Sequence, residues 1–518
     1  MRAVILFLLV LFVPLCGLAD DYKNPIIDAD YSDPDVIRVG DDFYLTASSF
    51  NSVPGLPILH SRDLVNWTII GHALPLLRPL HVFMKPQHGN GVWAPAIRFH
   101  NNEFYIFYGD PDFGIYMVKA RNAAGPWSKP LLVRAAKGWI DPCPFWDDDG
   151  NAYLVHAWAN SRSGIKSMLT INRMSLDGTK LLDDGKMVFD GHANQPTIEG
   201  PKLYKRNGYY YIFAPAGGVS TGWQTVLRSR NIYGPYEDRI VMDQGQTEIN
   251  GPHQGGWVEL KSGESWFVHF QDRRAYGRIV HLQPVKWAND WPVIGVDKDG
   301  DGKGEPVNSY RKPNVGREYP RQSPQTSDEF SSNRLGLQWQ WHANPIDRWS
   351  TFTARRGWLR LTATPLPEDG KNLWAAPNLL LQKLPSRKFT VTTLIDASQL
   401  RAGERSGLLM MGRDYSYLAV TRDARGLRLV RVVCTDAVKG GDEQETGAVE
   451  LKNGPVYLRV RVVEGAVCQF SYSVDGKKFE ALGNKFMAQP GMWIGAKVGL
   501  FAIGQSGYAD YDFFRYAD

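Results

Sequence analysis

A chain of 518 residues exceeds one ordinary domain, and its 43% hydrophobic content can fill more than one large core. The formal net charge is +5, but the 59 basic and 54 acidic side chains are interspersed without a Lys/Arg run, which excludes the electrostatic footprint of a nucleic-acid binder. Aromatic residues make up 12%, with 17 Trp, a supply of flat apolar faces that suits β cores and sugar-stacking sites alike.

Met1-Arg2, the apolar run Ala3 to Leu15 and the small residues of Gly17-Leu18-Ala19 read as a secretory leader over residues 1–19, cleaved after Ala19. The mature chain is then expected in the periplasm or outside the cell. The leader's apolar run is short for a bilayer, and no later segment has 18 uninterrupted apolar residues, so no membrane span is expected. Beyond the leader the chain keeps Cys143, Cys434 and Cys468. An odd count argues against a disulfide framework, with Cys434 and Cys468, both in strand-like runs, as a pairing left open.

Residues 20–310 repeat one phrase five times. The copies begin Asp33-Pro-Asp-Val-Ile, Trp93-Ala-Pro-Ala-Ile, Asp141-Pro-Cys-Pro-Phe, Glu199-Gly-Pro-Lys-Leu and Gly251-Pro-His-Gln-Gly. Each continues as a short apolar strand, a polar Gly/Asp/Asn turn and an aromatic strand, which is the signature of a β-hairpin. The positions Asp33, Trp93, Asp141, Glu199 and His253 follow one another at intervals of 60, 48, 58 and 54 residues. Hairpins at a period near 50 predict the blades of a five-bladed β-propeller, which would bring the five leading positions together at one axis. Residues 311–326 read as a linker. Just before it, the spacing of Asp297, Asp299 and Asp301 matches the start of a calcium loop, but Asn308 stands where the bidentate Glu belongs, and a solvated turn is the better reading. From residue 327 to 518 short alternating strands, such as Pro455-Val-Tyr-Leu-Arg-Val-Arg-Val-Val463, predict a second all-β domain of jelly-roll sandwich type.

Three carboxylates around one axis suit glycosidic bond cleavage. An inverting hydrolase needs one acid to protonate the leaving oxygen and one carboxylate to activate water on the opposite sugar face. A negative neighbour helps keep the acid protonated. Asp before Pro is also a common turn element. Against that plain explanation, the five leading positions differ while the hairpins around them match, which points to separate duties.

The stretch from Asn24 to Leu45, with Gly138-Trp-Ile-Asp-Pro142, Thr197-Ile-Glu-Gly-Pro201 and Gly251-Pro-His-Gln-Gly255, resembles glycoside hydrolase family 43. The second domain, from Asp328-Glu-Phe through Leu337-Gln-Trp-Gln-Trp341, resembles the concanavalin-like sandwich of that family's β-xylosidase and α-L-arabinofuranosidase branch. The resemblance implies an exo-acting, inverting hydrolase that releases a terminal pentose, arabinofuranose or xylose, from oligosaccharides or polysaccharides of hemicellulose. It implies Asp33 as general base, Glu199 as general acid and Asp141 as the group that orients Glu199 and raises its pKa. Trp93 and Arg278 would contact substrate, and so would His253, for which a hydrogen-bonded core histidine is the equal alternative; Phe50, read from its place after Thr46-Ala-Ser-Ser49, either lines the sugar pocket or fills the core. No cofactor is required, though a structural calcium at the axis, reached by His253 through water, belongs to the same expectation. A non-catalytic carbohydrate-binding propeller is the alternative. Cys143, where the family often has Ser, is read as packing.

Overall fold

The computed structural model describes residues 21–452 and 454–518, so the leader and its cleavage site lie outside the described residues. The first domain is a ring of five antiparallel four-stranded sheets. Their innermost strands are Asp35–Val39, Trp93–His100, Trp139–Trp146, Lys202–Arg206 and His253–Glu259. Every blade is a simple meander, because each strand pairs with its sequence neighbour through a short turn. Apolar side chains from facing blades fill the space between them, as where Ile140, Val155 and Leu169 of blade 3 share a cluster with Leu203, Ile212 and Leu227 of blade 4. The inner strand of blade 5 packs on that of blade 1 and closes the ring. Closure is reinforced by Asp21–Lys23, which pairs with Ser309–Arg311 beside blade 5, and by Tyr22, whose hydroxyl donates to the Leu282 carbonyl at 2.7 Å.

One backbone device recurs in all five repeats. The residue before the proline has a left-handed φ: Asp33 (53°), Ala94 (26°), Asp141 (57°), Gly200 (60°) and Gly251 (46°). A residue before proline ordinarily stays extended, and a left-handed φ strains any side chain but glycine. The kink turns the chain just before the inner strands of blades 1, 4 and 5, and within those of blades 2 and 3, where the pairing shifts register between Trp93 and Ala96 and between Ile140 and Cys143. The five leading positions are therefore not strictly equivalent, as the repeat alone suggested. Asp33 and Asp141 occupy the kink itself, Trp93 and Glu199 precede it by one residue, and His253 follows the proline.

The second domain stacks a seven-stranded sheet on an eight-stranded one over a shared apolar core. Val456–Val463 alternates buried and more exposed positions, as its sequence pattern predicts. Cys434 and Cys468 do not pair. They sit in different sheets, and all three described cysteines are free and buried. The linker lies along blade 1, where the Gln325 side chain both accepts from and donates to the Ile69 backbone. The sandwich is seated on the loops of blades 1 and 5. Val53 bridges to Trp341, Asn344 exchanges hydrogen bonds with the Leu77 backbone, and Ala496 N–H donates to the Ala275 carbonyl at 2.7 Å.

Candidate active site

The kinked chain ends bring the predicted carboxylates to one end of the ring. Asp33 is 5% exposed and is surrounded by donors. Ser48 Oγ donates to its Oδ2 at 2.5 Å, Ser32 Oγ at 2.8 Å, and Arg278 Nη1 reaches its Oδ1 at 3.1 Å. Ser48 in turn accepts the Ala94 N–H at 2.7 Å, so the kink of blade 2 fixes the rotamer that holds Asp33. Asp141 is almost fully buried and accepts the Gly200 N–H on Oδ2 at 2.7 Å. That bond ties Asp141 to the backbone immediately after Glu199. Gly200 is needed there, since a Cβ would lie 2.7 Å from Gln254 and its φ is left-handed.

Glu199 lies deeper in charge terms than in solvent terms. Its side chain is 29% exposed, open to the mouth of the ring. Burial of its surroundings pushes its pKa well above the usual carboxylate range, and repulsion from Asp141 and then Asp33 pushes the same way, against the pull of Arg278. Asp141 is raised too, by burial first, with the Lys202 ammonium and the Gly200 N–H opposing. The two carboxyls repel each other's charge, and Glu199 is the more exposed of the pair. His253 is fully buried with Nε2 3.4 Å from Glu199 Oε1. Burial, and then Arg278, hold its pKa down at about 3, so the imidazole is neutral.

The aromatic wall is built from both domains. Trp93 donates its indole N–H to the Gly89 carbonyl, and the Arg162 guanidinium sits 5.6 Å from its ring centroid. Phe50, with φ 50°, is 2% exposed and meets Trp93 edge-on at 6.4 Å, so it backs that ring and shows almost no surface to the pocket. Trp493 comes from the sandwich. It is 52% exposed, lies 6.3 Å from Trp93 at 69°, and covers Arg278 at 5.9 Å. Arg278 is itself 7% exposed, paired with Asp33, and flanked on another side by Phe270 at 4.9 Å. Trp493, Ser48, Ser32 and Lys202 were not among the residues singled out from sequence. Only Trp493 left a trace there, as a large aromatic in the glycine-rich turn Gly491-Met-Trp-Ile-Gly495.

Cys143 is a blade-to-blade contact: its sulfur accepts Arg98 Nη2 at 2.9 Å and the Leu203 N–H at 3.4 Å. For a metal, His253 offers two buried nitrogens, Nδ1 and Nε2, without a hydrogen-bond partner. Calcium takes six to eight oxygens. Among the described residues no three His, Cys, Asp or Glu groups gather at the axis, so His253 could reach such an ion only through water. The described cluster that does form is Asp297, Asp299 and Asp301 in an exposed loop, where Lys303 Nζ lies 2.9 Å from Asp301.

The pattern of the whole chain decides its family. Residues 22–292 match the model of the glycosyl hydrolases family 43, and residues 327–517 match the beta-xylosidase C-terminal concanavalin A-like domain. The chain belongs to glycosyl hydrolase family 43. It is a glycoside hydrolase in which both characteristic domains are present. A Xylanibacter ruminicola protein bearing the name of a beta-xylosidase is 41% identical over 481 residues, with 92% of this chain and 85% of that protein covered. The beta-xylosidase of Formosa agariphila is 34% identical, over 96% of this chain and 90% of its own. The crystal structure of a xylan beta-1,4-xylosidase from Bacillus halodurans superposes with a TM-score of 0.85 at 28% identity, covering 96% of this chain and all of that one. The non-reducing end alpha-L-arabinofuranosidase BoGH43B of Bacteroides ovatus is 28% identical over 96% of this chain and 94% of its own.

Proposed function

We propose that this family 43 enzyme removes single terminal pentoses, β-D-xylose or α-L-arabinofuranose, from hemicellulose-derived oligosaccharides with inversion at the anomeric carbon. The observation that carries the reading is the division of labour among three carboxylates. Glu199 is kept protonated at the pocket mouth by burial and by its acidic neighbours, while Asp33 is held as an acceptor by two serines and an arginine. In the reaction, water attacks the anomeric carbon as Asp33 takes its proton. The glycosidic C–O bond breaks, and Glu199 gives its proton to the departing oxygen. The products are a free pentose of inverted configuration and a glycan shorter by one sugar. Exchange with solvent then returns the proton from Asp33 and restores the one on Glu199. Asp141, bonded to the Gly200 N–H, holds the Glu199 segment in place and adds the charge that keeps its proton on.

Exo action is supported by the Trp493 ring, which the sandwich places beside Trp93 and over Arg278 as a wall on one side of the site. Names of relatives support both pentoses, and a few kcal/mol of pocket contacts would separate them. No cofactor takes part in these steps; water or a hydrated calcium would sit against the unpartnered nitrogens of His253. Among the described residues no helix is long and apolar enough to cross a membrane, and the leader at residues 1–19 supports export to the periplasm or medium. The test is hydrolysis of aryl β-xyloside and aryl α-arabinofuranoside, with the first-formed anomer read by NMR. Retained configuration would overturn inversion, and binding without turnover of either glycoside would favour the carbohydrate-binding alternative.

A further inference from the structure

One buried carboxylate spans the seam between the two domains directly behind the site. Asp30 is 2% exposed. Its Oδ1 accepts the backbone N–H of Arg278 at 2.9 Å, and its Oδ2 accepts the backbone N–H of Gly495 at 2.9 Å. Each oxygen thus holds a different domain, and each held residue leads to the pocket. Arg278 is the partner of Asp33, and Gly495 is two residues from Trp493.

The fit around this carboxylate is tight. A Cβ on Gly277 would lie 2.4 Å from the Asp30 carboxyl carbon, and a Cβ on Gly495 would lie 2.6 Å from the Gly277 nitrogen. Two glycines are therefore required for the chains to close on Asp30 from both sides. Asp30 is on the propeller, while Lys383 and Lys497 are on the sandwich; burial lowers the pKa of both lysines, Lys497 to about 7, and the Asp30 charge opposes that lowering. Lys497 Nζ donates to Ser52 Oγ of the propeller at 2.6 Å, two residues beyond Phe50. Lys383 lies 5.0 Å over the Tyr31 ring. A buried carboxylate with both oxygens filled by backbone donors and lysines nearby is costly to disturb, because removing one member leaves the others unpaired.

We infer that Asp30 is a positioning residue that sets Arg278 and Trp493 together, so that docking of the sandwich shapes the sugar site of the propeller. This rests on the hydrolase reading above. On this reading Asp30 holds the Trp493 ring of the sandwich over Arg278 of the propeller at one fixed separation.

The experiment is a double-mutant cycle of Asp30→Asn and Trp493→Ala, with kcat and KM measured on an aryl pentoside and on a pentose trisaccharide. Losing one backbone bond to a charged acceptor should raise KM for the trisaccharide by about tenfold, with a smaller change for the aryl substrate. In the Asp30→Asn background Trp493→Ala should then add less than about twofold, because the ring has already lost its position. Full additivity, or an equal fall in kcat/KM on both substrates, would overturn the inference. Gly495→Ala is the second variant should Asp30→Asn not fold. It wedges the seam open with the carboxylate intact, and the same selective loss on the trisaccharide is expected. If the wild-type enzyme hydrolyses no pentoside, the functional reading fails separately. The clamp is then read by hydrogen exchange in Asp30→Asn: faster exchange of the Arg278 and Gly495 amides together supports it, and a change at one alone refutes it.

Discussion

Replacing Glu199 by Gln removes the proposed proton donor while keeping its shape, and its effect can be worked from the charge around it. Burial and the two neighbouring aspartates raise its pKa from 4.5 to about 8. At pH 7 a group with that pKa is about nine-tenths protonated, whereas an unshifted one would be protonated about three times in a thousand, so the pocket supplies about 300-fold in the competent form. General acid catalysis itself is worth about 10²- to 10⁴-fold. That assistance matters for a sugar leaving group and little for an activated phenol. Glu199→Gln should therefore lose about 10³-fold in kcat on a pentose disaccharide and less than about tenfold on a dinitrophenyl pentoside, measured by reducing-sugar release and absorbance. The alkaline limb expected near pH 8 for the wild type should be absent for the variant on the aryl substrate. Equal losses on the two substrates, or an alkaline limb that survives the substitution, would refute the assignment of Glu199 as the acid.

The same carboxyl makes a stability prediction. Its pKa is higher folded than unfolded, so the stability it contributes is complete below pH 4.5 and is lost as pH rises through about 8. Thermal unfolding of Glu199→Gln should therefore match wild type near pH 4 and exceed it at pH 9, by about 2 kcal/mol once the open side of the group is allowed for. Asp33→Asn should remove the base, with a loss of about 10³-fold or more that is the same for aryl and sugar leaving groups; a loss confined to the sugar substrate would count against that role. Trp493→Ala exposes no core, since the ring is already 52% open, so melting should change little. Covering about 60 Å² of that face with sugar is worth about 1.5 kcal/mol, so KM for a trisaccharide should rise about tenfold with the aryl substrate nearly unaffected. Cys143, Cys434 and Cys468 should react with a thiol reagent only after unfolding, and labelling of the native enzyme at the rate of free cysteine would contradict their burial.

Much of this protein was legible in one dimension. The five-fold hairpin repeat fixes a propeller because strands that pair with their sequence neighbours need only local turns, and proline-marked starts announce each inner strand. Asp33, Asp141 and Glu199 stood out because they are acids at the head of those repeats. The alternation in Val456–Val463 likewise announced the sandwich. Position around the kink, by contrast, was beyond sequence reasoning. The repeat aligned Asp33 with Trp93 and Glu199, whereas the left-handed residue falls on Asp33 but on Ala94 and Gly200 in the other two.

What tertiary structure alone decided lies wherever distant segments meet. Arg278 looks like a surface charge until Ser32, Asp33 and Phe270 are seen around it. Trp493 and Gly495, some 460 residues from the first blade, acquire meaning only when the sandwich seats on Asp30. For Phe50, read as sugar contact or core filling, it is the fold that leaves it 2% exposed against Trp93, because burial depends on what packs above a side chain and not on its own chemistry. Local periodicity determines strands and repeats, since backbone geometry is local. The repulsion between Asp141 and Glu199 depends on distances through space, which folding fixes and spacing along the chain does not.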